Sequence, residues 1–110
     1  MKYFTTLHEC KGTCYHEFYK GKWDGNTFWK EDSLYFHDDV LYNLKLEDIF
    51  YQGNSSYDPY NETEINKDQW RQICKMAEFI GGEVIEAINE ADIWVQETFE
   101  KHNVFTILGI

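Results

Sequence analysis

The stretch INKDQWRQICKMAEFIGGEVIEAINEADIWVQETFEK, residues 65–101, decides how the chain is read, because its spacing, capping and charge agree. Asn66 stands where an N-cap is needed. Gln69, three residues on, completes a capping box, and Ile65 with Trp70 occupy the positions of a hydrophobic staple. Trp70, Ile73, Cys74, Ala77 and Ile80 recur at helical spacing, and Val84, Ile85, Ile88, Ala91, Val95 and Phe99 continue the pattern. Gly81-Gly82 interrupts it. Two glycines inside a helix cost roughly 2 kcal/mol relative to alanine. An unbroken helix from Lys67 to Lys101 would be about 52 Å long at about 1.5 Å per residue, against a radius of gyration of about 13 Å for a domain of this size. Two helices, or one kinked helix, are therefore expected.

Working outward, 110 residues suit a single domain over 1–110 with one modest core. A hydrophobic share of 43% and an aromatic share of 18% argue against disorder. The formal charge of −10 repels nucleic-acid backbones and anionic membranes and favours a basic macromolecule as partner. Residues 1–30 hold five lysines against three acids, +2 of that charge, which leaves −12 over the other 80 residues. No apolar run has signal-peptide or transmembrane length, so a cytoplasmic location is expected. Cys10, Cys14 and Cys74 are an odd count that does not suit a disulfide framework, and they are read as thiols.

Lys2–His8 reads as a strand, Lys11-Gly12-Thr13 as a turn, and Cys14–Lys20 as the returning partner of a hairpin. Thr27–Lys30 reads as a further short strand after a Gly-, Asp- and Asn-rich turn at 21–26. Over Ser33–Phe50, Leu34, Phe36, Val40, Tyr42, Leu44 and Leu46 lie close to period two. That pattern predicts strands interrupted at Asp38-Asp39, with a short helix over Leu46–Phe50 as the competing reading. Gln52–Thr63, with Gly53, Asn54 and the lone Pro59, is a loop. Val104–Ile110 is too apolar for a free tail and reads as a strand inserted into the sheet. The expected fold is α+β, a mainly antiparallel sheet from the N-terminal half plus a C-terminal strand, with the helices packed on one face.

Candidate chemistry is sparse. His8, Cys10, Cys14 and His16 fall within nine residues and could in principle supply four zinc ligands. Their spacing matches no familiar zinc frame, so a small metal-binding domain or enzyme centred there, or on His37, is the alternative reading rather than the leading one. His37-Asp38-Asp39 resembles the His-Asp pairs of metal-dependent phosphohydrolases, but a polar turn accounts for it as well. Glu31-Asp32, Glu47-Asp48 and Glu62 with Glu64 lack the contrasting environments that acid–base catalysis requires. Cys74, on an apolar helix face, is expected to be inert. No catalytic residue, metal or cofactor is expected. Of the 20 aromatic residues, Trp70, Phe79 and Phe99 are expected in the core, while Tyr51, Tyr57 and Tyr60 on the loop offer rigid contact area.

The acidic face of the second helical segment carries the functional reading. From Glu78 to Glu100 there are seven acids and no Lys or Arg. At about 100° per residue, Glu83, Glu86, Glu90, Glu97 and Glu100 gather opposite the apolar stripe, with Ile93 among them and Trp94 at their edge. A face that only confers solubility normally mixes both signs. These carboxylates would speed encounter with a basic partner, while Ile93, Trp94, Tyr57 or Tyr60 anchor it. A homo-oligomer in which Ile93 and Trp94 meet their copies is a further alternative.

In its size, its charge and its Glu-rich segment from Glu83 to Glu100 running into Val104–Ile110, the chain resembles the small, acidic cytoplasmic immunity proteins that neutralise bacterial toxins, many of them nucleases with basic clefts. The resemblance covers the last third of the chain and carries no residue roles with it. It implies a stoichiometric, non-enzymatic inhibitor that occludes a basic toxin.

Overall fold

Asn66 closes a strand and opens a helix, and the architecture turns on that junction. The computed structural model describes all of residues 1–110. The elements are β1 (Phe4–Thr5), a 3-10 turn (Leu7–Glu9), β2 (Tyr15–Lys20), β3 (Leu34–His37), α1 (Asp38–Asn43), α2 (Leu46–Gly53), β4 (Glu62–Asn66), α3 (Lys67–Ile80), α4 (Gly82–Phe99) and β5 (Val104–Leu108). The strands form one five-stranded antiparallel sheet in the order β1-β3-β2-β5-β4. The fold is α+β, and the C-terminal strand is inserted between β2 and β4 as its apolar character requires.

Period two splits β2 between two environments. Phe18, fully buried, faces the helices, and its ring meets Phe50 of α2, Trp70 of α3 and Trp94 of α4 at centroid distances of 6.0, 6.2 and 6.0 Å. Phe4, Phe36 and Phe105 from three other strands close around the same ring. Glu17 faces the other way and is 5% exposed. Its carboxylate accepts from the Trp29 and Lys30 amides (2.8 and 3.2 Å) and from Ser33 Oγ (2.7 Å). The segment 21–33 is thereby laid over the second face of the sheet, with the Trp29 ring stacked on Tyr35 at 5.5 Å. Trp29 takes a left-handed φ of 59° there, which Glu17 helps to hold.

The capping box forms as the spacing predicts: Asn66 Oδ1 accepts from the Gln69 amide (2.9 Å) and Gln69 Oε1 from the Asn66 amide (2.8 Å). Ile65 and Trp70 are both buried in the same core cluster. The Gly81-Gly82 pair breaks the helix outright. Gly81 has φ 72° and ψ −159°, a region closed to side chains, so α3 and α4 fold back on each other at that point.

Several expectations are corrected. Two helices fill 38–53, where strands were expected. Asp38 and Asp39 stand in the first turn of α1, favourable at a helix N-terminus, and His37 Nδ1 accepts from the Asp39 amide (3.0 Å) as its cap. The competing helix over Leu46–Phe50 is the correct reading and extends to Gly53. The strand over Lys2–His8 shrinks to two residues, and it pairs with β3 instead of forming a hairpin with β2. Thr27–Lys30 is irregular because Glu17 engages its backbone. The loop after α2 is shorter than expected, since Glu62–Asn66 pairs with β5 as an edge strand.

Two substitutions test this frame. Glu17→Ala leaves two part-buried amides and a buried hydroxyl without their acceptor and is expected to cost roughly 3 kcal/mol in urea unfolding. Gly81→Ala, forced into a strained backbone region with open space around it, is expected to cost about 1–3 kcal/mol. An unchanged midpoint for either would contradict the role given to it.

Candidate acidic interface

Helix α4 buries Val84, Ala87, Ile88, Ala91, Val95 and Phe99 and turns its glutamates outward. The outward ribbon divides into two halves. In the first, the chain's own N-terminus lies across the helix. Glu90 accepts three consecutive amides: Lys2 through Oε2 (2.9 Å), and Tyr3 and Phe4 through Oε1 (2.9 and 3.0 Å). The Tyr3 hydroxyl donates to Glu86 Oε2 (2.9 Å), and partial desolvation followed by that bond holds it above its ordinary pKa. Lys2 Nζ stands 3.9 Å from Glu83, with both side chains well exposed, so this pair contributes little.

The second half is uncovered. Glu97 and Glu100 are exposed, Ile93 between the two halves is 69% exposed, and no Lys or Arg is within ion-pair distance of either carboxylate. Trp94 is half-buried. Its ring packs against Phe18 and Phe105, and its Nε1 donates to the Asp32 carbonyl (2.9 Å), so it belongs to the core and offers only an edge. Asp92, the remaining acid of the helix, accepts from Trp70 Nε1 (2.8 Å) and Gln96 (3.0 Å).

The loop tyrosines separate. Tyr60 is 71% exposed and remains free for contact, as does Tyr51. Tyr57 is not available, a correction to its place among the anchors: it is 7% exposed, its ring lies 5.3 Å from Phe50, and burial, then Glu47, pushes its hydroxyl well above the ordinary value. Phe79 is corrected in the opposite sense. Expected in the core with Trp70 and Phe99, it is 89% exposed at the end of α3. The signal available was its position: it falls between Ala77 and Ile80 and off the stripe that Trp70, Ile73 and Ala77 define.

The His and Cys residues of the first turn do not converge, and no three His, Cys, Asp or Glu side chains anywhere in the chain are placed to hold one metal ion. His8 and Cys14 are exposed, and Cys10 Sγ donates to the Thr6 carbonyl. His16 is fully buried, stacked on Phe36, with Nε2 2.8 Å from Asp38 Oδ1. Cys74 is half-buried, and burial pushes its thiol up to about 12, far from a reactive thiolate. Comparison with protein-family models, with curated proteins and with solved structures finds no match to this chain. Lys2 and Tyr3, which meet the ribbon from more than 80 residues away, carry no local signal by which the sequence could have revealed them.

His16 supplies a pH test. Burial lowers its pKa below the ordinary 6.5, and the Asp38 bond offsets this only in part. Nδ1 is buried without a partner, which suits a neutral ring bearing its proton on Nε2. A folded-state pKa below the unfolded one means stability is present above pH 6.5 and is lost as pH falls through the folded value. His16 ring resonances should titrate below pH 6.5, and the acid-side stability slope should lessen in His16→Phe. Titration of His16 above pH 6.5 would contradict the assignment.

Proposed function

We propose that this chain is a non-enzymatic binding protein that blocks a basic protein partner, as the immunity component against a bacterial toxin, through the outward face of α4. The observation that carries this reading is the uncovered half of the ribbon, where Glu97 and Glu100 follow the exposed Ile93 along one face with no Lys or Arg within ion-pair distance. Unpaired like charges on one face raise the free energy of the isolated protein slightly and repay it when a cationic surface arrives, which is how electrostatic complementarity raises association rates. Pairing with a second copy of the same face would set glutamates against glutamates, so a foreign basic surface suits it better.

Glu83, Glu86 and Glu90 add to the field, yet Glu86 and Glu90 also hold the N-terminus, so reversing them would confuse binding with folding. The double variant Glu97→Lys/Glu100→Lys avoids this. Stopped-flow association with the product of the adjacent reading frame should slow by about tenfold at low salt, with a flatter dependence on ionic strength and no loss of thermal stability, since lysines suit the C-terminal end of α4. An unaltered association rate in a complex that does form would remove the acidic face from the interface. An adjacent product that neither arrests growth nor binds would remove the toxin reading.

A further inference from the structure

The acidic ribbon borders a cleft that the sequence did not indicate. Between α4, the start of β3 and the first residues of the chain lies an open groove of about 320 Å³, the largest on the surface. Its solvent-facing wall is almost wholly apolar, formed by Met1, Leu34, Ile93 and Trp94, and Glu90 and Glu97 stand along its α4 edge. Three independent parts of the fold build it. Trp94 is locked by its bond to the Asp32 carbonyl and by Phe18, Leu34 is buried in the core, and the N-terminal wall is fastened by Glu90 through three amides. Glu90 thus stands at the rim while positioning the segment that forms the opposite wall.

We infer that this groove receives an apolar side chain of the basic partner, presented beside a cationic residue that lies over the uncovered Glu97. The inference rests on the function proposed above and specifies its anchor. Charge complementarity selects the occupant: a rim of carboxylates with no Lys or Arg between residues 78 and 100 favours cations beside the inserted group, and disfavours a second copy of this acidic chain or an anionic lipid surface. The apolar wall supplies what the glutamates lack, a contact that excludes water and slows dissociation. Ile93, exposed in the free protein, becomes the buried centre of the contact.

The test uses the intact chain, isotope-labelled, and two synthetic peptides, one alternating arginine with leucine and the other with each leucine replaced by serine. The leucine peptide is expected to shift the Trp94 indole and Ile93 methyl resonances and to bind about tenfold more tightly than the serine peptide, the effect of burying roughly one leucine. Ile93→Ser, a surface change that leaves the core intact, should erase the preference for the leucine peptide. Equal binding of both peptides, with shifts confined to Glu97 and Glu100, would overturn the groove and leave the acidic face standing. Binding of neither would overturn both. Groove resonances that move with the concentration of the chain alone would identify a second copy as the occupant and overturn the inference.

Discussion

Glu17 and Phe18, neighbours on the central strand, point to opposite sides of the sheet, and the rest of the structure depends on both being satisfied. Phe18 is the one ring that meets α2, α3 and α4 together, so the helical layer is assembled on it. Glu17 binds the long connection between β2 and β3 to the other face by two amides and a hydroxyl. A one-residue slip of β2 would place the carboxylate among the aromatic rings and the phenylalanine under a polar loop. Both errors are costly, since an unpaired buried charge and an exposed large ring each forfeit several kcal/mol. Register is thus specified from both faces at once.

The second long-range tie is Glu90. Three consecutive amides at the start of the chain have no sheet partner that could satisfy them all, because β1 is only two residues long. A carboxylate on α4 takes their place. Hydrogen bonds to an ionised acceptor are shorter and roughly twice as strong as neutral ones, which suits a terminal segment with little else to hold it. This places a functional-looking acid in a structural role. The glutamates of one helix face, identical in type, therefore do different work: Glu86 and Glu90 order the chain's own beginning, and Glu97 and Glu100 meet only solvent.

Long, periodic, well-capped elements were legible in the sequence and short ones were not, for a physical reason. The segment 65–101 carries its own boundaries in Asn66, Gln69 and the glycine pair, and Val104–Leu108 announces burial through composition alone. Helices α1 and α2 span six and eight residues, too few for helical period to outweigh the accidental alternation of Leu34, Phe36, Val40 and Tyr42. Asp38-Asp39 could be read as a strand break or a helix start, and only the His37 cap distinguishes them. Strand β4 was concealed because its outward residues, Glu62, Glu64 and Asn66, look like loop and only Thr63 and Ile65 turn inward. The outward placement of Glu83, Glu86, Glu97 and Glu100 on α4 was legible in the helical period. The division of that face was not, because a contact between residues 2–4 and residue 90 leaves no trace in local spacing.

That division sharpens what the surface charge can mean. A protein that needs net charge only to stay dispersed can place carboxylates anywhere, and interspersing lysines costs it nothing. Here none of the ten Lys and Arg residues lies between positions 78 and 100, and of the three that come within ion-pair distance of a carboxylate, Lys2, Lys30 and Arg71, only Lys2 meets the ribbon, at Glu83. Concentrating like charge on α4 carries a self-repulsion that internal structure relieves only at the N-terminal half, through the amides that Glu90 collects. The other half keeps its repulsion and adjoins an exposed isoleucine and an apolar groove, two further features that cost free energy in an isolated molecule. Three unfavourable features gather on one face, and under the function proposed above a basic, partly apolar surface would relieve all three, whereas solubility alone would require none of them to be adjacent.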